Sequence, residues 1–218
     1  MEKIEAIVDT CFLKKLAPEE RNVENIRKVI NCLNIQPVAH PYIVEHEISL
    51  ISYLKKLVDA NFIKKIKYSE FLKDETDSLL YENNFFLLHE QMRQKLDAIP
   101  GCSKKIEKLD LRAGQTIYNT HRQGSSMGDV HMILMAALLR LPIILTEDSD
   151  IELIRGIVRA QTQFAGLTIQ IYDSLDILKK IAENADAPII KKELFQIINS
   201  IGERSHRAEL SSIWDANH

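Results

Sequence analysis

Four short apolar segments occur along the chain between longer segments of helical periodicity. Each is four to six residues long and lies between polar residues, a pattern that favours buried strands. They are IEAIVD at residues 4–9, IQPV around residue 36, PIILT at residues 142–146 and LTIQIY at residues 167–172.

The remaining apolar residues recur at the three- and four-residue spacing of amphipathic helices. The spacing predicts one helix over residues 41–58 and mainly helical structure over residues 59–110. After Pro188 it predicts one amphipathic helix followed by a less regular end. Further helices are predicted in NVENIRKVINCL, in GDVHMILMAALLRL, from about Ile151 and after Ser174.

Strands that alternate with helices predict a parallel sheet covered on both faces. The expected fold is therefore α/β, with three α/β/α layers around a central, mainly parallel sheet. The main domain is expected to span residues 1–180, with a helical elaboration at residues 59–115 inside it. Residues 181–218 are expected to form a C-terminal helical tail. Ligands of such folds gather at the carboxyl ends of the strands.

Composition narrows the class of protein only modestly. The 218 residues are 45% hydrophobic and 27% charged, with no uncharged apolar run of membrane-spanning length. The beginning of the sequence does not resemble a signal peptide, and the three scattered cysteines favour a reducing compartment, so a cytoplasmic protein is expected. The net charge of −3 argues against a general nucleic-acid coat but is compatible with a nuclease that carries metal-binding acids.

Two acids follow predicted strands. Asp9 ends the first strand, where it could also serve as a turn or cap residue before the next helix. Asp148 follows PIILT. The neighbouring Ser149 and Asp150 fit a capping box, which leaves Asp148 without a capping role and makes it the better ligand candidate.

Two further acids lie on predicted buried faces of helices. Every neighbour of Glu47 at helical spacing is apolar, and burying an unpaired carboxylate is costly; its alternative is a helix-edge position. Glu45 aligns with polar residues and is expected to be solvated. Asp129 precedes the apolar face of its helix, but Ser126 and Asp129 also fit a capping box.

The combination of these four acids carries the functional prediction. Four carboxylates at one edge of a sheet would repel one another unless a cation compensated them. Ligand sets made only of oxygen favour Mg²⁺ or Mn²⁺ over Zn²⁺. The chemistry that matches such a site is metal-assisted hydrolysis of a phosphodiester.

These residues also carry a resemblance to a known family. IVDT, HPYIVEHEI, GDVHMILMAAL and IILTED resemble, in order and spacing, the four motifs of PIN domains, the metal-dependent nuclease fold of bacterial toxin ribonucleases and RNA-processing factors. The resemblance covers most of residues 1–180. It implies that Asp9, Glu47, Asp129 and Asp148 are catalytic and bind Mg²⁺ or Mn²⁺, with Thr10, Thr146 and Asp150 in support.

The chain departs from the family pattern in three places. Cys11 stands where family members often have an asparagine, which puts the fine positioning near Asp9 in doubt. Residues 59–115 exceed the connection found in the compact toxins. The segment after about residue 180 is not explained by the family core.

Contacts with RNA are predicted on two segments. Arg122, Ser125 and Ser126 lie in a polar loop just before the Asp129 helix, although Ser126 could be only a cap and Arg122 only solvated. Lys55 and Lys56 begin a lysine-rich stretch with interspersed aromatic residues, whose alternative is a solvated helix face with the aromatics in the core. His121 and His131 are interpreted as ordinary polar residues.

The expected function is that of a metal-dependent endoribonuclease acting on single-stranded or structured RNA. Its expected partners are RNA, a protein such as the antitoxin of a toxin–antitoxin pair, and a second copy of the chain. The alternative is a catalytically silent PIN-like module that binds protein or RNA. The sequence contains no P-loop, dinucleotide-binding glycine motif or serine-hydrolase elbow. Cys11 also replaces the second aspartate that a haloacid-dehalogenase-like phosphatase requires.

Overall fold

A computed structural model describes residues 3–101, 105–122, 124–159, 166 and 168–218 of the chain. Strands and helices alternate through most of it, as the hydrophobic pattern predicts. The strands are β1 Ile4–Val8, β2 Ile35–Ala39, β3 Lys64–Lys65, β4 Ile143–Leu145 and β5 Gln170–Tyr172. The α-helices are α1 Thr10–Leu16, α2 Val23–Leu33, α3 Pro41–His46, α4 Ser52–Asp59, α5 Glu75–Ala98, α6 Met127–Leu139, α7 Asp150–Arg159, α8 Ser174–Glu183, α9 Lys191–Ser200 and α10 Arg207–Asn217.

The five strands form one sheet in the order β3-β2-β1-β4-β5, and all four pairings are parallel. The predicted α/β class with a parallel sheet flanked by helices is therefore confirmed. The chain moves outward from β1 through β2 to β3, and then returns to the other side of β1 with β4. The carboxyl ends of β1 and β4 consequently flank the point at which the strand order reverses, where ligands of open α/β sheets bind.

The continuous helix predicted over residues 41–58 is wrong. Helix α3 ends at His46, a short 3₁₀ turn occupies Ile48–Leu50, and α4 begins only at Ser52. The breaks lie at Glu47 (φ −132°, ψ −63°) and Ile51 (φ −116°, ψ 103°), neither of which is helical. Glu47 therefore lies at the C-terminal end of a short helix.

The helical prediction for residues 59–110 is correct for α5 but wrong for residues 105–110, which form no helix, and it misses a strand. Lys64 and Lys65 pair with Val38 and Ala39, which makes β3 an edge strand of the sheet. The pattern hid this strand because two lysines carry no apolar alternation. Leu167, at the start of the predicted fourth strand, lies outside the described residues, and β5 begins at Gln170.

The C-terminal segment contains two helices, so the prediction of a less regular end is wrong. Helix α10 packs against α8 and α9, and Leu194 and Leu210 are buried in the same apolar core as the sheet. Ion pairs join this segment to α1 and α2, with Lys15 Nζ 2.6 Å from Glu203 Oε1 and Lys28 Nζ close to Glu193 Oε1. Among the described residues, no helix is both long and apolar enough to cross a membrane.

Candidate functional site

A cavity of about 540 Å³ opens at the carboxyl ends of β1 and β4. Its volume lies within the range of small-ligand sites, roughly 300–1,000 Å³. All four acids singled out in the sequence line it: Asp9, Glu47, Asp129 and Asp148. The rest of the lining comes from Thr10, Cys11, Lys14, Tyr42, His46, Leu50, Ile51, His121, Arg122, Gly124, Ser125, Ser126, Met127 and Gly128.

Asp9 is held in place through both its backbone and its carboxylate. Its backbone N–H continues the sheet by donating to the Leu145 carbonyl at 3.0 Å, which fixes the residue between β1 and β4. Its carboxylate accepts from the Thr10 backbone N–H at 2.6 Å, from the Thr146 hydroxyl at 2.9 Å and from the Cys11 thiol. Asp9 is 7% exposed, and burial raises the pKa of its carboxyl despite these donors.

Cys11 is a site residue whose role the sequence reasoning missed. Its thiol donates to Asp9, and its sulfur accepts from the backbone N–H of Glu147 at 3.2 Å. Burial, followed by the charge of Asp9, raises the pKa of this thiol, so Cys11 remains a protonated donor. The position that departs from the family pattern thus still orients the first acid.

Glu47 reaches the cavity from the end of α3. Burial, followed by the charge of Asp9, raises the pKa of its carboxyl to about 7. A hydrogen bond from the Thr10 hydroxyl and the charge of Lys14 act in the opposite direction, but they do not outweigh burial.

A close approach of α6 to α3 sets the position of Glu47. A β-carbon at Gly128 would lie 2.8 Å from Ile43 Cδ1 and 3.2 Å from Glu47 Oε1. A side chain at position 128 would therefore displace the terminal methyl of Ile43 and crowd the Glu47 carboxylate. Glycine at this position allows α6 to bring Asp129 to the same cavity.

Asp129 is 6% exposed in the first turn of α6. The capping box predicted for Ser126 is not formed, because Ser126 adopts a left-handed conformation (φ 53°) and makes no side-chain capping hydrogen bond. The structure therefore favours the cavity-lining reading of Asp129 over the capping one.

Asp148 lines the cavity and also has a local structural role, which the sequence analysis did not predict. Its Oδ1 accepts from the backbone N–H of Asp150 at 3.0 Å, at the start of α7. Its own N–H donates to Thr146 Oγ1 at 3.1 Å, and Thr146 in turn donates to Asp9. Thr146 thus links the two strand-end acids, and its supporting role in a metal site stays a prediction.

The predicted RNA contacts divide between the cavity and the surface. Arg122, Ser125 and Ser126 line the cavity, with Arg122 Nη2 donating to the Asp110 carbonyl and Ser125 Oγ to the Arg122 carbonyl, each at 2.6 Å. The cavity residues do not include Lys55 or Lys56, whose ammonium groups pair with Asp59 and Glu20 on the surface. The backbone N–H of Asp150 donates to Asp148, which lines the cavity.

The wall beside the acids contains cations and imidazoles that were not predicted as a group. Lys14 and Arg122 contribute positive charge, and Tyr42, His46 and His121 contribute polar rings. A signal for Lys14 was present, because it lies one helical turn after Cys11 in the helix that follows Asp9. His46 and His121 carried no such signal, since they lie 75 residues apart and meet only in the fold.

The four acids surround the cavity without forming a ready-made cluster. Among the described residues, no group of three or more His, Cys, Asp or Glu side chains is gathered closely enough to hold a metal ion. Three of the acids are nevertheless close enough to influence one another. In addition to burial, the charge of Asp9 raises the pKa of Glu47, and the charge of Asp148 raises the pKa of Asp9.

The raised pKa of Glu47 leads to a prediction about stability without metal ions. The folded state holds the Glu47 proton up to about pH 7, whereas the unfolded chain releases it near 4.5. The free energy of unfolding in chelator should therefore fall as pH rises through this interval, by up to about 3 kcal/mol. Glu47→Gln should flatten this part of the pH profile, measured by urea unfolding. The matched control Glu45→Gln, in an exposed residue paired with Lys65, should leave the slope unchanged. An unaltered slope in Glu47→Gln would contradict the assignment.

Comparisons of the chain with family models, with curated proteins and with solved structures found no match. The fold and cavity define an α/β protein with a five-stranded parallel sheet. Its acid-lined cavity lies at the switch point of the sheet, where the strand order reverses between β1 and β4.

Proposed function

We propose that the protein is a metal-dependent endoribonuclease of the PIN type. The observation that carries this proposal is that four acids, widely separated in the sequence, line one cavity at the switch point of the sheet. Each acid comes from the motif in which the sequence resembles PIN domains. The parallel sheet and the position of the cavity at the ends of β1 and β4 add further support.

The residues fit Mg²⁺ or Mn²⁺ in their chemistry. The cavity offers carboxylate oxygens, which hard divalent cations prefer, and Thr10 also lines it. Mg²⁺ commonly keeps several waters and is held by one or two carboxylates, so a cluster of three preformed ligands is not required. A cation would also relieve the repulsion between Asp9 and Glu47 that raises the pKa of Glu47.

Each group of cavity residues would have a distinct part in hydrolysis. Bound Mg²⁺ or Mn²⁺ would stabilise the negative charge that develops on the phosphodiester and make water a better nucleophile. Asp9, Glu47, Asp129 and Asp148 would hold the cation, directly or through water. Cys11 and Thr146 would keep Asp9 in place through the hydrogen bonds they donate to it.

The cationic side of the cavity suits an anionic substrate. Lys14 and Arg122 can neutralise backbone phosphates, and the guanidinium of Arg122 is already oriented by its bond to the Asp110 carbonyl. The serines of the same wall, Ser125 and Ser126, can donate hydrogen bonds to phosphate oxygens. These contacts would position a strand without selecting its sequence.

Thermal melting with chelator, Mg²⁺ and Mn²⁺ tests the proposal, together with cleavage of a mixed panel of single-stranded and structured RNAs. We expect each cation to raise the melting temperature of the wild type and to support internal cleavage. Asp9→Asn should lose the cation-dependent rise. If melting is indifferent to both cations and no RNA is cleaved, the nuclease proposal is wrong.

A second candidate is a catalytically silent binding module, and one surface favours it. Helix α5 is apolar on its outer as well as its inner side: Leu79, Leu80, Phe86 and Leu87 are 39–56% exposed. Exposed apolar patches of this kind are typical of contacts with other proteins. We propose that this apolar surface of α5 binds an antitoxin-like protein or a second copy of the chain, whether the protein is a nuclease or a binding module.

A further inference from the structure

The tautomer of His121 is set by the hydroxyl of Tyr42. Tyr42 is 1% exposed, and its O–H donates to the Thr120 carbonyl at 3.1 Å, because a carbonyl oxygen can only accept. The same hydroxyl oxygen lies 3.3 Å from His121 Nδ1. With its hydrogen already committed, Tyr42 serves as the acceptor there, and His121 Nδ1 carries the hydrogen.

This arrangement leaves Nε2 of a neutral His121 as an unprotonated acceptor. Partial desolvation and the neighbouring His46 lower the pKa of His121, so the ring is neutral near pH 7. Within the described ranges, no hydrogen bond engages Nε2, and His121 is an exposed residue of the acid-lined cavity. A neutral imidazole with a free lone pair thus belongs to the same cavity as the four acids.

A second imidazole holds the His121 ring in place. The rings of His46 and His121 are stacked, with centroids 5.8 Å apart and planes inclined by 9°. His46 is itself fixed, because its Nε2 donates to the Tyr118 carbonyl at 2.9 Å. Both Tyr42 and His46 come from α3, so this helix presents Glu47 to the cavity and also orients His121.

The chemistry of the lone pair selects its ligand. Phosphate oxygens are acceptors at neutral pH and would be repelled by another acceptor, so His121 does not suit phosphate. A strand whose phosphodiester lies at the acids brings the adjacent ribose into the cavity, and its 2′-hydroxyl is the donor nearest to the phosphate. DNA lacks this hydroxyl.

We propose that His121 Nε2 accepts a hydrogen bond from a ribose 2′-hydroxyl beside the cleaved phosphate and so makes the site selective for RNA over DNA. This inference rests on the proposed nuclease function and assigns to one residue the discrimination between RNA and DNA. His46 is a positioning residue that holds the accepting ring.

Paired oligonucleotides of one sequence test the inference. One is all-ribose, and the other carries a single 2′-deoxy nucleotide on the 5′ side of the cleavage site. In Mn²⁺, the wild type should cleave the all-ribose strand about five- to tenfold faster, the value of one neutral hydrogen bond. His121→Phe keeps an aromatic ring against His46 but removes the acceptor, so this ratio should fall to about one. His121→Gln places an amide oxygen near Nε2 and should restore part of it.

His206→Phe is the matched control, because His206 is a surface histidine bonded to Glu209. It should leave the ratio at the wild-type value. Cleavage by the wild type without a ribose preference, or a preference that survives in His121→Phe, overturns the inference but leaves the nuclease proposal standing. If neither oligonucleotide is cleaved, binding of both is measured in chelator. Tighter binding of the all-ribose strand that depends on His121 supports the inference and contradicts the nuclease proposal. Absence of both binding and cleavage overturns both.

Discussion

Asp129→Asn is expected to reduce RNA cleavage in Mn²⁺ by roughly a hundredfold to ten-thousandfold. Removing one charged ligand of a catalytic cation forfeits several kcal/mol of transition-state stabilisation, and each 1.36 kcal/mol is tenfold in rate. Asparagine has the shape of aspartate, so the first turn of α6 and its approach to Glu47 past Gly128 should persist. Single-turnover cleavage of an RNA that the wild type cuts measures the loss.

Glu45→Gln serves as the control for this experiment. Glu45 lies two residues before Glu47 but is exposed and paired with Lys65, with 2.8 Å between Oε1 and Nζ. Its neutralisation should leave the rate within about twofold of the wild type, consistent with the small value of surface ion pairs. Full activity of Asp129→Asn, with its melting curve unchanged, would contradict the assignment of the site.

Tyr81→Phe is expected to destabilise the fold by about 2–6 kcal/mol. Tyr81 joins two buried histidines: its hydroxyl lies 3.1 Å from His40 Nε2 and 2.7 Å from His131 Nδ1. His40 Nδ1 accepts from the Tyr42 N–H, and His131 Nε2 donates to the Ile117 carbonyl at 3.0 Å. These outer bonds make His40 Nε2–H the donor to Tyr81, and the Tyr81 O–H the donor to His131.

Phenylalanine would leave a donor on His40 and an acceptor on His131 without partners in the core. Each unsatisfied buried group costs about 1–3 kcal/mol, which gives the expected total. Urea unfolding at pH 7 measures it. Tyr172→Phe, which removes an exposed hydroxyl bonded to Gln170, should change stability by no more than about 1 kcal/mol. A Tyr81→Phe protein as stable as the wild type would contradict this chain of directed hydrogen bonds.

Much of the fold was predictable because the strands are short apolar runs. β1 and β4 are buried on both faces by helices and therefore read as apolar segments in the sequence. β3 was not predictable, because only its backbone joins the sheet while Lys64 and Lys65 pair with acids. The end of α3 was also missed, since the apolar residues on either side of Glu47 continue at helical spacing through the break.

The four acids that line the cavity were predictable from their combination in the sequence, but their surroundings were not. Glu47 was predicted as a buried acid because its neighbours at helical spacing are apolar, but those neighbours do not belong to one continuous helix. It nevertheless reaches the cavity from the end of α3. The roles of Cys11 and His121 depend on contacts between distant segments, with Thr146 and with Tyr42 respectively. Local sequence patterns carry no information about such contacts.

The two edges of the sheet have a consequence for behaviour at high concentration. The edge strands β3 and β5 are two and three residues long, and β3 presents only lysines, tied to Glu5 and Glu45. Short edge strands offer few free backbone groups to a foreign strand, and the lysines of β3 add charge at that edge. Fibrils built by adding strands to this sheet are therefore disfavoured while the protein stays folded, even in a crowded solution.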